Sequence, residues 1–305
     1  AMAAVKAFSA TQLATNAGVH FRSAASWDGR LLVGTASGAL LVYGPSPAGP
    51  DACAVQEMHS NFSRKALADL AVHEAQRLLL ALADGTLEVY RLGRDLSSTM
   101  PLQSIKQCQA FALSADGCLL ATASRRTVHI RRWAEEGEAF EELAQVNVYD
   151  SSSSMSVVPS QLKSAVTQIT DVVGTAAQSA ALARGAGSDM VAGTGAVALL
   201  LWLGDAQDDR ELIVGTRREY FRYSLAAGAL EPLFRTSRAG APPLGVRLAA
   251  DEVLLCQERL GCFVGMGGDP SRKYVLSFRE PPSALAYTPP FVISAHTSPA
   301  SANSS

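Results

Sequence analysis

The sequence predicts an all-β fold, a β-propeller broken by one low-complexity insertion, and three observations carry that prediction. The stretch Leu31–Tyr43 reads L-L-V-G-T-A-S-G-A-L-L-V-Y, two apolar runs around a small-residue turn with two glycines, which is the pattern of a β-hairpin. The same strand–turn–strand pattern returns at Leu67–Leu92, Cys108–Trp133, Glu211–Tyr223, Leu244–Val264 and, in part, Ser283–Ala295. The copies recur about every 40 to 50 residues, the period of a propeller blade, and a blade cannot bury its apolar faces unless it stacks on another.

Taken in order, Phe21–Tyr43 gives a strand, a turn at Trp27-Asp28-Gly29-Arg30 and the first hairpin. Gly44-Pro45-Ser46-Pro47-Ala48-Gly49-Pro50 reads as a loop, since proline disrupts helices and central strands. The second copy turns at Asp84-Gly85. The third turns at Ala115-Asp116-Gly117 and Ser124-Arg125-Arg126, with Val128-His129-Ile130 as its third strand. In the last copy Pro289-Pro290 stands where the others have a polar turn. Aligned at Gly34, Ala83, Thr122, Gly215, Gln257 and Ser294, the copies are separated by 49, 39, 93, 42 and 37 residues. The long step holds residues 151–195, rich in Ser, Ala, Thr and Gly with no strand–turn–strand signal, and so reads as an insertion. Six units are visible. Seven is a common closure number and is the expectation here, with the remaining strands supplied by the N-terminus or by chain beyond Ser305. The organisation expected is an N-terminal segment (1–17), the first part of the propeller (18–150), the insertion (151–195), the second part with an incomplete last blade (196–296) and a flexible tail (297–305). The chain is expected to be a fragment of a longer protein or to end in a non-native tail.

Composition narrows the function classes. The 305 residues are 48% hydrophobic and 18% charged, a globular balance, and a net charge of −2 gives no overall field toward nucleic acid. The five cysteines, Cys53, Cys108, Cys118, Cys256 and Cys262, are scattered with no C-x-x-C pair. That argues against a disulfide framework or structural zinc and fits a reducing cytosolic compartment. Ala1–Ala14 lacks the continuous apolar region of a signal peptide, and the longest apolar run, Ala196–Leu203, falls well short of the roughly 20 residues that span a bilayer. A soluble protein is expected.

Several motifs touch on chemistry and none gathers a site. Gly193-Thr194-Gly195-Ala196-Val197-Ala198 matches the dinucleotide pattern G-x-G-x-x-A, but a linker precedes it and a short apolar run follows, so linker into strand is the better reading. Gly265-Met266-Gly267-Gly268 lacks the Lys-Ser/Thr of a phosphate loop and reads as a loop. Ser160-Gln161-Leu162-Lys163 matches S-x-x-K without the companion motifs of penicillin-recognising enzymes. His20, His59, His73, His129 and His296 have no acid or cysteine at ligand spacing. The chain is therefore expected to be non-catalytic, with no cofactor, metal or small-molecule substrate.

Phe21-Arg22-Ser23-Ala24-Ala25-Ser26-Trp27 followed by the Leu31–Tyr43 hairpin resembles the opening of a citron homology (CNH) domain. The version it resembles is that of the family of vacuolar protein sorting-associated protein 39 and TGF-beta receptor-associated protein. Three later stretches keep that family's order: Ser60-Asn61-Phe62-Ser63-Arg64-Lys65, then Val214-Gly215-Thr216-Arg217-Arg218-Glu219-Tyr220-Phe221, then Pro281–Ile293. The likeness covers about residues 18–295 without the insertion, which departs from the pattern, as does the absence of the final strands and the helical solenoid. The resemblance implies a subunit of the HOPS or CORVET tethering complexes. Its partners would be a Rab-type GTPase and sister tether subunits, with peripheral association on late endosomal, lysosomal or vacuolar membranes. The alternative is a CNH-type scaffold or regulatory domain of a signalling protein linked to small GTPases.

Two sets of residues are candidates for contact. Arg125, Arg126, Arg131 and Arg132 gather around one hairpin and Arg217 and Arg218 at another. They read either as solvated charge that blocks edge pairing or as a contact for acidic partners or lipid phosphates. In the insertion, Leu162, Val166, Ile169 and Val173 recur at helical spacing opposite a face of Ser, Thr and Gln with few charges. That stripe reads either as a surface loop or as an amphipathic helix that inserts into loosely packed lipid.

Overall fold

The computed structural model describes residues 19–46, 49–93, 100–148, 196–205, 210–236 and 242–296. The chain divides into two compact units, Ala1–Cys108 and Gln109–Ser305. The first holds two antiparallel sheets whose strands pair in chain order: β1 (Phe21–Trp27), β2 (Arg30–Thr35), β3 (Leu40–Ser46) and β4 (Gly49–His59), then β5 (Leu67–His73), β6 (Leu78–Ala83), β7 (Thr86–Arg91) and β8 (Gln103–Lys106).

The second unit holds three more sheets of the same kind. They are β9 (Ala110–Leu113), β10 (Leu119–Ser124), β11 (Thr127–Ala134) and β12 (Ala139–Asn147); β13 (Val197–Leu203), β14 (Glu211–Thr216), β15 (Glu219–Ser224) and β16 (Ala229–Arg235); and β17 (Leu244–Arg247), β18 (Glu252–Gln257), β19 (Leu260–Gly265) and β20 (Leu276–Ser277). A two-stranded sheet, β21 (Ala284–Thr288) with β22 (Phe291–Ala295), follows. Within each unit the first strand of one sheet lies against the first strand of the next: β1 on β5, and β9, β13, β17 and β21 in succession. These are propeller blades.

Two expectations are corrected. The described residues form five blades, not seven. Seven rested on a common closure number rather than on residues, and among the described residues the sixth repeat pairs as two strands. The stretch after Tyr43 is also not all loop, because β3 continues through Gly44 and Pro45 to Ser46 against β4. Beyond Tyr43 the strand has no partner on its β2 side, which is where a sheet can hold a proline without losing a ladder bond.

Each blade's second strand explains why the sequence shows apolar runs rather than strict alternation. It has a strand on either side and side chains packed on both faces, so nearly every position is buried: all six residues of β14, and Leu78–Leu82 of β6. Ala121, Val128, Ile130, Leu200, Trp202, Leu212, Val214 and Phe221 fill the space between the third and fourth blades. Leu203, Ile213, Tyr220, Val253, Leu255 and Val264 do the same between the fourth and fifth.

The repeated V-G-T has a physical reason at each letter. The Val is core. A Cβ on Gly34 would sit 2.7 Å from Cβ of Leu67, and one on Gly215 would sit 2.7 Å from Cβ of Pro243, so the glycine makes room where the next blade begins. The threonine closes the turn that follows: Thr35 Oγ1 accepts from the Ala39 amide at 2.9 Å, and Thr216 Oγ1 from the Glu219 amide at 3.0 Å. Gly38, inside the first of these turns, has φ +86°, and a Cβ there would meet the Ser63 carbonyl oxygen at 2.2 Å. Gly38→Ala is therefore expected to destabilise the first unit by roughly 1–3 kcal/mol, read as a lower urea midpoint with an unchanged slope.

Candidate interaction surfaces

The six arginines singled out from the sequence do not form one patch. Arg125 and Arg126 are exposed and make the two-residue turn between β10 and β11, with Arg125 at φ +54°. Arg131 and Arg132 lie at the far end of β11, about 17 Å along the strand from that turn. Arg131 is mostly buried, donates to Thr122 Oγ1 and lies 3.6 Å from Glu142. Arg132 is exposed and sits opposite Glu141. Arg217 and Arg218 are exposed on the turn between β14 and β15. The residues Leu162, Val166, Ile169 and Val173, like the S-x-x-K match, lie outside the described residues. Of the G-x-G-x-x-A match, Val197 opens strand β13, as linker into strand requires.

A chain of backbone bonds puts the two arginine turns at one end of the second unit. The Arg125 carbonyl accepts from the Val197 amide at 2.7 Å, at the start of β13. Val197 pairs with Thr216, and the next residues are Arg217 and Arg218. Tyr220, just past that turn, hydrogen-bonds Leu244 at the start of β17, and Leu244 pairs with Cys256, which leads into the exposed Glu258-Arg259 turn. Three successive hairpin tips thus share an end.

The strongest polar constellations were not legible as sites. Arg210, 1% exposed, donates to Asp116 of the preceding blade and, at 3.2 Å, to the Asp205 carbonyl, while its Nε and Nη1 are buried without a partner. Burial pushes the Asp116 carboxyl up, but hydrogen bonds from Arg210, Ser114 and the Cys118 amide outweigh it and hold the group well below the usual carboxylate range. Glu211 accepts from Arg222 at 2.6 Å and from the Gly267 amide at 3.0 Å, tying the fourth blade to the short 3-10 stretch Met266–Gly268 of the fifth. Arg272 pairs with Glu252 through two nitrogens, at 2.9 and 2.6 Å, and stacks 4.2 Å over the Phe263 ring. Beside it Tyr274 is 61% exposed, the rigid aromatic-and-arginine chemistry that anchors protein contacts.

Other surfaces are available. A cleft of about 460 Å³ in the first unit is lined by Trp27, Asp28, Arg30, Glu74, Arg77 and Leu92, with the Arg30 guanidinium 5.0 Å from the Trp27 ring centroid. On the two-stranded sheet Phe291 and Ile293, each 40% exposed, share a face with Ala284, Ala286 and Ala295. Burial pushes the thiols of Cys256 and Cys262 up to about 12 and about 11, which keeps them protonated and packed rather than nucleophilic. Among the described residues no three His, Cys, Asp or Glu side chains are placed to hold a metal ion.

Four-stranded antiparallel sheets stacked first strand on first strand within each unit define a β-propeller. The CNH domain family matches residues 27–298, and the chain belongs to that family. CNH domains are β-propeller scaffolds for protein interaction. Among solved structures the chain is similar to the AfRom2 CNH domain (TM-score 0.59, 15% identity, 94% of this chain and 82% of that one). It is also similar to Saccharomyces cerevisiae Sqt1 (TM-score 0.56, 7% identity, 88% and 67%) and to a chain of the Mitotic Checkpoint Complex (TM-score 0.56, 11% identity, 90% and 70%). At these identities the likeness is one of fold. No curated protein matches the chain in sequence.

Proposed function

We propose that this CNH propeller is the binding platform of a membrane-tethering subunit of the vacuolar protein sorting-associated protein 39 and TGF-beta receptor-associated protein group. It would work at late endosomal, lysosomal or vacuolar membranes within a HOPS- or CORVET-type complex, with a Rab-type GTPase and sister subunits as partners. The observation that carries the reading is the order of four sequence stretches, Phe21–Tyr43, Ser60–Lys65, Val214–Phe221 and Pro281–Ile293, along one propeller. The mechanism is binding: blades locked to one another hold turns and outer strands rigid, so little ordering entropy is lost when a partner docks. The second reading, a regulatory CNH domain of a signalling protein, shares the fold.

Affinity purification of the full-length protein from its own cells, with mass spectrometry of what co-purifies, tests this. Recovery of tether subunits and a Rab-type GTPase is expected, with the tagged protein on late endosomal or lysosomal membranes. Recovery of signalling enzymes with no tether subunit overturns it.

A further inference from the structure

We propose that the hairpin end of the second unit carrying Arg125, Arg126, Arg217, Arg218 and Arg259 is a docking surface for an anionic membrane. The net charge of −2 hides a division by position. At this end the three exposed turns between second and third strands carry those five arginines, with Glu219 and Glu258 as the acids of the same turns. The connection after β20, which leaves from the same end, adds Arg279 and Glu280. The opposite end reverses the sign. Its turns carry exposed Glu135, Glu136, Glu138, Asp251 and Asp269 against exposed Arg132 and Lys273, while Asp116 is paired with the buried Arg210, Asp205 with Arg247 at 2.7 Å and Glu252 with Arg272 at 2.6 Å. A unit polarised in this way orients in the field of an anionic surface, basic end first.

Two observations favour lipid over an acidic protein. The arginines stand on the tips of three separate hairpins that blade packing holds at one end of the unit, an arrangement that presents charge over an extended surface. The residues that flank 149–195 also lie at this end: the Val148 amide bonds to the Arg126 carbonyl and the Val197 amide to the Arg125 carbonyl, both at 2.7 Å. The sequence of that stretch has an apolar stripe and few charges, the composition of interfacial segments. The surface itself consists of the turns alone. The inference is independent of which CNH subgroup the chain belongs to.

The test is co-sedimentation of the whole chain with vesicles of phosphatidylcholine alone or of phosphatidylcholine with phosphatidylserine. Binding is expected to the mixed vesicles only and to weaken with salt. Arg125→Glu, Arg126→Glu, Arg217→Glu and Arg218→Glu together are expected to lower it about 100-fold or more, whereas Lys273→Glu at the other end leaves it within about 2-fold. All are surface changes, and an unchanged circular dichroism spectrum and urea midpoint keep the comparison valid. Replacing 151–195 by a short Gly-Ser linker is expected to leave a salt-dependent component in place. Equal binding to both vesicles overturns the proposal, as does a quadruple variant that binds like wild type. So does retention on an acidic polypeptide matrix without vesicle binding, which assigns the surface to a protein instead.

Discussion

Asp116→Ala is expected to destabilise the second unit by about 3 kcal/mol, far more than the loss of an exposed side chain at a turn ordinarily costs. The reason is what it leaves behind. Arg210 is 1% exposed, and its charge is answered by Asp116 and one carbonyl; without the carboxylate the guanidinium is buried and uncompensated. The reverse change is cheaper, because Asp116 stands partly in solvent and can be hydrated once Arg210 is gone. Arg210→Met is therefore expected to cost less than about 1 kcal/mol, and the double variant to lie nearer wild type than Asp116→Ala does. Urea unfolding of the four proteins measures this. Equal costs for the two single substitutions would sink the account.

The same pair gives a pH dependence with a definite sign. The Asp116 carboxyl titrates lower in the folded protein than the ordinary value of 3.8, so its contribution is fully present above that value and is lost as pH falls through the folded one. The stability gap between wild type and Asp116→Ala is expected to be constant from neutral pH down to about pH 4 and to narrow below it. Glu252, held low first of all by its hydrogen bonds from Arg272, adds a loss of the same sign in acid.

The blades were legible because a propeller repeats a local pattern. Second strands such as Leu78–Ala83 and Glu211–Thr216 must be apolar along their whole length, and Asp28-Gly29 and Asp84-Gly85 take the positive φ values that two-residue hairpin turns need. Blade number was not legible, since it depends on how many blades pack side by side, and that is no property of any one repeat. The polar links were hidden for a related reason. Arg210 and Asp116 are 94 residues apart, and nothing local marks an arginine before an apolar strand as buried. The arginines misled in the other direction: Arg125 and Arg132 are close in sequence but lie at opposite ends of a strand. The arginines that share an end with Arg125, Arg217 and Arg259, come from other blades.

Tyr220 is the second position where a large effect is expected, and the substitution pair Phe and Ala separates its two contributions. The ring is fully buried, packed against Phe234 at 5.2 Å and among Leu203, Ile213, Val253 and Leu255. Its hydroxyl accepts from the Leu244 amide at 2.9 Å and lies 2.8 Å from the Cys256 carbonyl and 3.0 Å from that of Leu244, so one phenol closes the end of the β17–β18 ladder from the neighbouring blade. Tyr220→Phe keeps the ring and strands those groups, at an expected cost of roughly 1–3 kcal/mol. Tyr220→Ala adds a cavity between blades, for roughly 3–5 kcal/mol from the ring. Tyr223→Phe on the same strand is the control, expected to stay within about 0.5 kcal/mol. β17 is only four residues long and half-buried throughout, so the loss should also be local: in Tyr220→Phe the amides of Leu244–Arg247 should exchange with solvent faster than those of β14, whose six residues are all buried. A uniform rise in exchange across both strands would mean that the hydroxyl stabilises the unit as a whole and does not pin β17 in place.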